Sequence, residues 1–403
     1  MSQEGGEGGL RRAAALLVSI AALGASAAGA QQDTGSPEVT VDPTVAVEPT
    51  VEPPPDPGDG ASRGAAGGVT PLVAPLPFHN SQIGWGVAVM VGLIHRFDAD
   101  TTVKPSTGAL TGLVSENGSW GVMALEIARL GRDAWRARGM LGYMDLQYDF
   151  FGIGIDAGEA GVSIPIEQTM TLASGALLRR VVPGLYLGPT FVWMQTTVTP
   201  DDDDTPVLPD VPELPDQSRA DLFAPGLLGE YDTRNSDYWP DEGSLAQLKA
   251  SFFTTSAGES GSFQRYQAAW SWYHGVRGPR LVLVTNLNAC GAPGDAPFYG
   301  LCSLGSGRFA LRGYTQGRYR DHYATVAQAE VRAHTAGRWG VTIFGGFAGV
   351  APEFSDLFDA RMLPAGGAGL RYQLTQDYPM HLRLDYAWGN DGGLLYFSVG
   401  EAF

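Results

Sequence analysis

The sequence carries few charges and, after its first 30 residues, no long apolar run. Asp, Glu, Lys and Arg make up 17% of the 403 residues, whereas soluble domains average roughly 25%. A membrane-spanning helix needs about 20 mostly apolar residues, and only the N-terminus approaches that length. From residue 31 onward, the sequence therefore excludes a transmembrane helix.

Motifs for catalysis and metal binding are also missing. None of the six histidines lies in H-E-x-x-H, and there is no phosphate-binding glycine loop. The G-x-S-x-G string at residues 60–64 lies in a segment rich in Pro and acid, not at the strand-to-helix turn that a nucleophile elbow needs. Asp321 and His322 are neighbours on a predicted strand, so their side chains point to opposite faces and form no catalytic pair. The run Asp201–Asp204 lacks the spaced ligands and glycine of a calcium loop, which favours a solvated acidic loop. We predict no enzyme activity, no metal and no cofactor.

The formal charge of −17 is concentrated in two acidic stretches. Residues 31–70 carry seven carboxylates and one arginine, and residues 201–221 carry eight carboxylates and one arginine. A nucleic-acid surface would need a basic stripe instead. We therefore expect no nucleic-acid partner.

Glycine and aromatic residues are abundant and lie in alternating segments. With 55 glycines and 10% aromatics, the sequence favours strands and tight turns over helices. In the first clear segment Trp85, Val87 and Val89 share one face, and mostly small residues occupy the other. Large apolar side chains outward and small or polar ones inward are typical of a membrane barrel, although a soluble sandwich alternates similarly.

Counting such segments gives fifteen strands. They are 83–97, 105–116, 119–130, 135–149, 165–181, 184–199, 220–233, 244–257, 262–276, 279–290, 322–335, 338–351, 364–376, 379–389 and 393–403. Single-chain bacterial barrels have an even number of strands, so we predict an all-β fold, a transmembrane antiparallel β-barrel of 16 strands. The missing strand is assigned to 68–78, where Pro71, Pro75 and Pro77 remove amide donors along one edge. As the first strand it would pair poorly with the last, which predicts a weak seam.

The tryptophans offer a further prediction. Five of them are expected in the interfacial girdles of the barrel or elsewhere in its wall: Trp85, Trp193, Trp239, Trp339 and Trp388.

The first 68 residues divide into two segments of different composition. Residues 1–30 are typical of a secretory signal peptide, with Arg11 and Arg12 before a short apolar core and a small-residue cleavage site at 28–30. Residues 31–68 are rich in Pro, Val and acid, which favours a disordered, polyproline-like periplasmic linker. Residues 69–403 form the predicted barrel.

One loop motif is cationic and rigid. Leu311-Arg312-Gly313-Tyr314 follows a stretch rich in Gly, Pro and Cys, and strand alternation resumes after it. The sequence here resembles the BamA/TamA-like bacterial surface antigen family of outer-membrane barrels, whose sixth extracellular loop carries (V/L)-R-G-(F/Y) inside the lumen. The resemblance implies that Arg312 enters the lumen and pairs with Glu330, and the alternative is that Arg312 caps the loop in solvent. The aspartate that the family has on the following strand is missing, and Asp385 either serves as another partner or lines a wet lumen.

Two further features extend the resemblance. Residues 394–403, with Tyr396, Phe397 and Phe403, are similar to the C-terminal signal that the outer-membrane insertion machinery reads, and 232–243 resembles the family's D-x-R…P-x-x-G turn.

Cys290 and Cys302 lie 12 residues apart in one predicted loop. In an exported protein that spacing allows a disulfide, and the alternative is two free thiols.

The resemblance covers about residues 70–403 and implies a short family member without POTRA domains, since about 40 linker residues are too few for them. It implies insertion or translocation of protein or lipid through a lateral seam of the barrel. The expected location is the outer membrane of a Gram-negative-type cell. Expected partners are outer-membrane lipid, the insertion machinery for its own assembly, and a protein or lipid client. The alternative is a passive pore or structural surface antigen without assembly activity.

Overall fold

A computed structural model describes residues 70–97, 106–200, 218–255, 262–305, 309–374, 381–390 and 392–403. The predicted signal peptide (1–30), the linker (31–68) and the acidic run Asp201–Asp204 lie outside the described residues.

Sixteen strands close into one antiparallel barrel, and two short strands form a separate ribbon inside one loop. The barrel strands are β1 (Thr70–Asn80), β2 (Gly84–His95), β3 (Ser106–Ser115), β4 (Trp120–Leu130), β5 (Trp135–Phe150), β6 (Ile164–Val182), β7 (Leu185–Pro200), β8 (Ser218–Asp232), β9 (Glu242–Thr255), β10 (Phe263–Pro279), β11 (Leu281–Gly291), β14 (Tyr323–Ala336), β15 (Trp339–Ala351), β16 (Leu363–Gln373), β17 (His381–Gly389) and β18 (Gly392–Val399). The ribbon consists of β12 (Cys302–Ser303) and β13 (Arg320–Asp321). Neighbours in sequence are neighbours in the wall, and β1 meets β18 to close it.

The predicted alternation builds the wall. On β14, Val326, Gln328 and Glu330 are buried toward the interior, while Ala329 and Val331 are exposed on the outer face. Because side chains alternate along a strand, one periodicity supplies both a lipid-compatible exterior and a polar lumen. Large exposed apolar residues follow the outer face of the barrel, as on β2, β7, β10 and β15.

The two ends of the barrel differ in their connections. We call the end where β1 begins the proximal end and the other the distal end. The distal end carries a short helix, α1 (Ile155–Ala160), two 3-10 turns (Phe298–Gly300 and Ser355–Phe358) and the β12–β13 ribbon. Among the described residues, no helix has the length and apolar character to cross a membrane.

The predicted fold class and strand number are confirmed, and most boundaries fall within two residues of the prediction. Two expectations were wrong. The last strand ends at Val399 rather than at Phe403 because the chain turns at Gly400, where φ is +89°. Trp239 is 6% exposed, so it belongs to no outer girdle. Its indole N–H donates to the Pro279 carbonyl, and its ring packs against His381 at an interplanar angle of 48°.

β1 and β18 are paired at few positions where they meet to close the wall. β1 pairs with β2 at eleven register positions but with β18 at one, where His79 lies opposite Phe397. Because β1 pairs with β2 without interruption, the backbone positions at which Pro71, Pro75 and Pro77 lack an N–H face β18. Because β18 stops at Val399, it lies alongside the second half of β1 and does not reach the first half. The edge-strand role predicted for this segment agrees with this seam.

Candidate functional site

The loop between β11 and β14 folds into the distal half of the barrel and forms an apolar cluster there. Its buried members include Leu304, Phe309, Leu311, Tyr314 and Tyr319, which pack against wall residues of β14, β15 and β16. A disulfide between Cys290, at the end of β11, and Cys302 ties the loop to the wall. Burial of these side chains stabilises an inward loop, since each large apolar side chain contributes about 1.5–3 kcal/mol when fully buried.

Arg312 projects from this cluster to two carboxylates on different strands. Its guanidinium donates to Glu330 on β14 at 2.6 Å and to Asp385 on β17 at 2.7 Å. The Arg312 side chain is 4% exposed, and both carboxylates are fully buried. A charge removed from water needs such partners, so the loop is fixed to β14 and β17 together.

An aromatic ring on β15, the strand after β14, also contacts Arg312. The Arg312 guanidinium carbon lies 3.4 Å from the centroid of Phe344 on β15. A guanidinium over an aromatic face is attracted by the ring quadrupole. The second carboxylate partner is Asp385 from β17, one of the two roles that the sequence left open for that residue.

Two wall arginines share the same carboxylates. Arg332 donates to Glu330 at 2.6 Å, and Arg371 on β16 donates to Asp385 at 2.5 Å. Both guanidinium groups are fully buried. The result is a continuous ionic network across β14, β16 and β17, in which each carboxylate accepts from more than one arginine.

The chain end after β18 joins this network from the proximal side. Glu401 accepts a hydrogen bond from Arg371 at 2.8 Å and lies 3.7 Å from Arg332. The main-chain oxygen of Phe403 accepts from Arg332 at 2.8 Å, and its ring packs near Trp239. The turn at Gly400 thus directs the last residues into the lumen, where the ionic network holds them.

Gly313 and Tyr314 join the loop to the distal end of β17. Gly313 has φ +110°, and a Cβ there would lie 2.8 Å from the carbonyl carbon of Trp388. Only glycine permits both the backbone conformation and this approach. The Tyr314 hydroxyl donates to the Pro364 carbonyl at 2.7 Å and accepts from the Asn390 main-chain N–H at 3.2 Å.

The same loop segment reaches both sides of the seam. The Gly313 N–H donates to the Tyr396 hydroxyl on β18 at 2.9 Å, and that hydroxyl lies 3.4 Å from the Tyr314 carbonyl. On the other side, the Gln316 N–H donates to the Ser81 hydroxyl, in the turn between β1 and β2, at 3.1 Å. Loop contacts therefore bridge the place where the strands themselves pair at one position.

A last set of contacts extends the loop across the barrel mouth to the β5–β6 connection. The Gly154 N–H donates to the Arg320 carbonyl at 2.8 Å, and Arg318 donates to the Gly158 carbonyl at 2.9 Å. Burial raises the pKa of the Asp321 carboxyl beside them, and a hydrogen bond from the His322 main-chain N–H opposes that rise.

The structure brings together most of the residues singled out in the sequence. Leu311–Tyr314, Glu330, Asp385 and Tyr396 meet around the loop, and Phe403 lies in the lumen near Arg332. Phe397 lies at the seam opposite His79. Sequence reasoning missed Arg332, Arg371, Glu401 and Phe344. Only Arg332 had a signal, because it lies two residues after Glu330 and so shares its face.

Comparisons with known proteins agree with this architecture. The profile of the Omp85 superfamily domain matches residues 193–403. A comparison with curated proteins finds no match. Among solved structures, BamA from Haemophilus ducreyi lacking POTRA domains 1–3 aligns with a TM-score of 0.55 and 16% identity, over 83% of this chain and 70% of that one.

Two CdiB structures are also similar in fold. CdiB from Escherichia coli aligns with a TM-score of 0.54 and 14% identity, over 84% of this chain and 63% of that one. CdiB from Acinetobacter baumannii gives 0.52 and 11%, over 82% and 59%. This chain thus spans less than two thirds of either CdiB chain. With the matched profile and the closed 16-stranded barrel, the chain belongs to the Omp85 superfamily.

Proposed function

We propose that this chain assists the insertion or translocation of protein or lipid at the outer membrane through the seam between β1 and β18. The observation that carries the proposal is the contrast at that seam. Its strands pair at one register position, and the arginine loop bonds to residues on both sides. A seam closed mainly by side-chain and loop contacts opens without breaking a long hydrogen-bonded ladder.

The arginine loop has a defined part in this proposal. Arg312 fixes the loop to β14 and β17, and the loop in turn holds β18 and the β1–β2 turn in position. Because the loop and its apolar cluster occupy the distal lumen, they favour a guarded barrel over a passive open pore.

A disulfide across the seam tests the proposal. Residues opposite each other in an antiparallel pair have Cα atoms about 4.5–5.5 Å apart, within the range of a disulfide. We expect His79→Cys combined with Phe397→Cys to cross-link and to abolish activity, and reduction to restore it. Activity is measured by depleting the native protein, expressing the variant and quantifying outer-membrane proteins and lipids by mass spectrometry.

The matched control places the same cross-link in the wall. Leu141→Cys with Ala173→Cys joins β5 and β6 at an existing register position and should leave the outer-membrane composition unchanged. If the cross-linked seam variant restores the outer membrane as well as the control does, the barrel is a passive pore or structural surface antigen instead.

A further inference from the structure

Exposed charges are segregated between the two ends of the barrel. At the proximal end six exposed arginines lie in or beside the strand connections: Arg132, Arg179, Arg180, Arg277, Arg280 and Arg338. Among the described residues of that end, the exposed carboxylate is Glu242. At the distal end the balance is reversed, with nine exposed carboxylates against Arg219 and Arg361: Glu116, Asp149, Asp156, Glu159, Glu167, Asp295, Glu353, Asp356 and Asp359.

Three of the exposed proximal arginines are not used to hold the fold through ion pairs. No ion pair with a described residue is formed by Arg180, Arg277 or Arg280. The Arg338 guanidinium donates a hydrogen bond to the Leu374 carbonyl. By contrast, the buried arginines at the same end, such as Arg136, are fully paired with carboxylates. We name the exposed set Arg132, Arg180, Arg277, Arg280 and Arg338 the arginine collar. Its positive charge faces solvent around the proximal mouth.

We propose that the arginine collar docks the acidic segment 31–68 of this same chain. The segment carries seven carboxylates and one arginine. It joins the barrel at Thr70, where β1 begins at the proximal end. The segment therefore leaves the wall beside the collar, at a high effective concentration and with opposite charge.

The spacing of the charges matches on the two sides. Seven carboxylates between Asp33 and Asp59 are separated by 3–6 residues, or about 9–19 Å in a polyproline-like chain that rises about 3.1 Å per residue. Strands lie about 4.8 Å apart and tilt by about 40°, so consecutive proximal turns recur about every 12 Å around the rim. A sixteen-stranded rim measures about 100 Å on the same basis, and 38 polyproline-like residues reach about 118 Å. The segment is therefore long enough to pass round the whole collar.

Anionic lipid is the competing occupant. Arg179 lies over the Trp135 ring on the outer face of the wall, where lipid headgroups would meet it, so we leave it out of the collar. Collar members lie at or beside the connections between strands, where the acidic segment also begins. These positions favour the chain's own segment, and the experiment separates the two.

Distances between spin labels test the docking in the full chain, reconstituted in nanodiscs of phosphatidylcholine. The native cysteines are bridged, so labels on Val51→Cys and Ala336→Cys report the distance from the segment to the rim. We expect one narrow distance peak at low salt, which broadens at 0.5 M salt because screening weakens exposed charge pairs.

Charge variants complete the test. Replacing the five collar arginines by Gln, or the seven carboxylates by their amides, should each remove the narrow peak. Replacing the collar by Glu and the carboxylates by Lys together should restore it. The matched control, Arg219→Gln with Arg361→Gln at the distal end, should leave the peak unchanged.

Three results would overturn the proposal: a broad distribution in the unmodified chain, a narrow peak that survives loss of the collar, or loss of the peak whenever phosphatidylglycerol is present. The last would make anionic lipid the occupant. Docking is independent of seam opening, so its failure would leave the proposed function untouched.

Discussion

Two regions of the barrel, the wall around β5, β6 and β7 and the seam between β18 and β1, are both built from strands of alternating side chains. They differ in strand length and in the number of paired positions. β5 and β6 pair at sixteen register positions, whereas β18 and β1 pair at one. The strands of the wall have 16, 19 and 16 residues, and β18 has 8. At about 3.3 Å per residue and a tilt of about 40°, eight residues span about 20 Å of membrane, less than the apolar band of about 25 Å.

This difference shows where each region obtains its stability. In the wall, backbone pairing and interior packing act along the whole strand. At the seam, stability comes from a few contacts with the arginine loop and from the ionic network that holds the chain end. The wall should therefore respond to changes in packing, and the seam to changes in individual polar contacts.

The largest effect is expected from Arg312→Ala, which removes the ion pairs that fix the loop. Breaking a buried ion pair by removing one partner destabilises a protein by about 3–5 kcal/mol. The variant should lower the temperature at which the barrel unfolds in gel-shift assays, and it should raise solvent access to the seam.

The control for this change is Arg361→Ala, which removes an exposed pair with Glu159 on the distal surface. Exposed pairs contribute about 0–1 kcal/mol, so its unfolding temperature should stay close to that of the unmodified chain. Equal effects of the two variants would show that the loop is not held by its charge.

The success and the limits of sequence reasoning follow the same division. Most strand boundaries were predicted to within about two residues because alternation is local and each strand carries its own signal. Glu330 was found through a motif, and Arg332 shares its face. Arg371 and Glu401 carry no local signal, since their contact depends on how the barrel closes and on a turn at Gly400. The seam was predicted because prolines act on the backbone wherever they occur.

A packing change in the wall should have the next largest effect on stability and should leave the opening of the seam unchanged. Leu178 on β6 is fully buried against Tyr186 and Leu228. Leu178→Ala should destabilise the barrel by about 2–5 kcal/mol through lost packing and a cavity. The rate of disulfide formation between His79→Cys and Phe397→Cys should not change. A faster rate would mean that wall and seam are coupled and would weaken the comparison.

Gly313→Ala should have a smaller effect on stability but a specific one on the loop. A Cβ at Gly313 would lie 2.8–3.0 Å from the backbone of Trp388 and Gly389, so the loop must move away from β17. We expect a lower unfolding temperature together with faster seam cross-linking.

Gly392→Ala controls for backbone strain alone. Gly392 has the same φ as Gly313, +110°, but nothing lies within 4 Å of its Cβ position. Both substitutions carry a similar conformational penalty of about 1–3 kcal/mol, so the close contact with β17 is what differs. If the two variants cross-link at the same rate, close packing against β17 does not position the loop.

The smallest effect is expected from Tyr396→Phe, which tests a single hydrogen bond at the seam. Tyr396→Phe removes the hydroxyl that accepts from the Gly313 N–H and keeps the ring. One hydrogen bond contributes about 0.5–1.5 kcal/mol, which corresponds to a change of up to about tenfold in the open population of the seam. The barrel's unfolding temperature should hardly change, while seam cross-linking accelerates by a few-fold. Tyr386→Phe on the neighbouring strand is the control, because that ring faces outward against Trp388, and it should alter neither quantity. If Tyr396→Phe lowers the unfolding temperature as much as Leu178→Ala does, the seam contributes to global stability like the rest of the wall, and the distinction between the two regions fails.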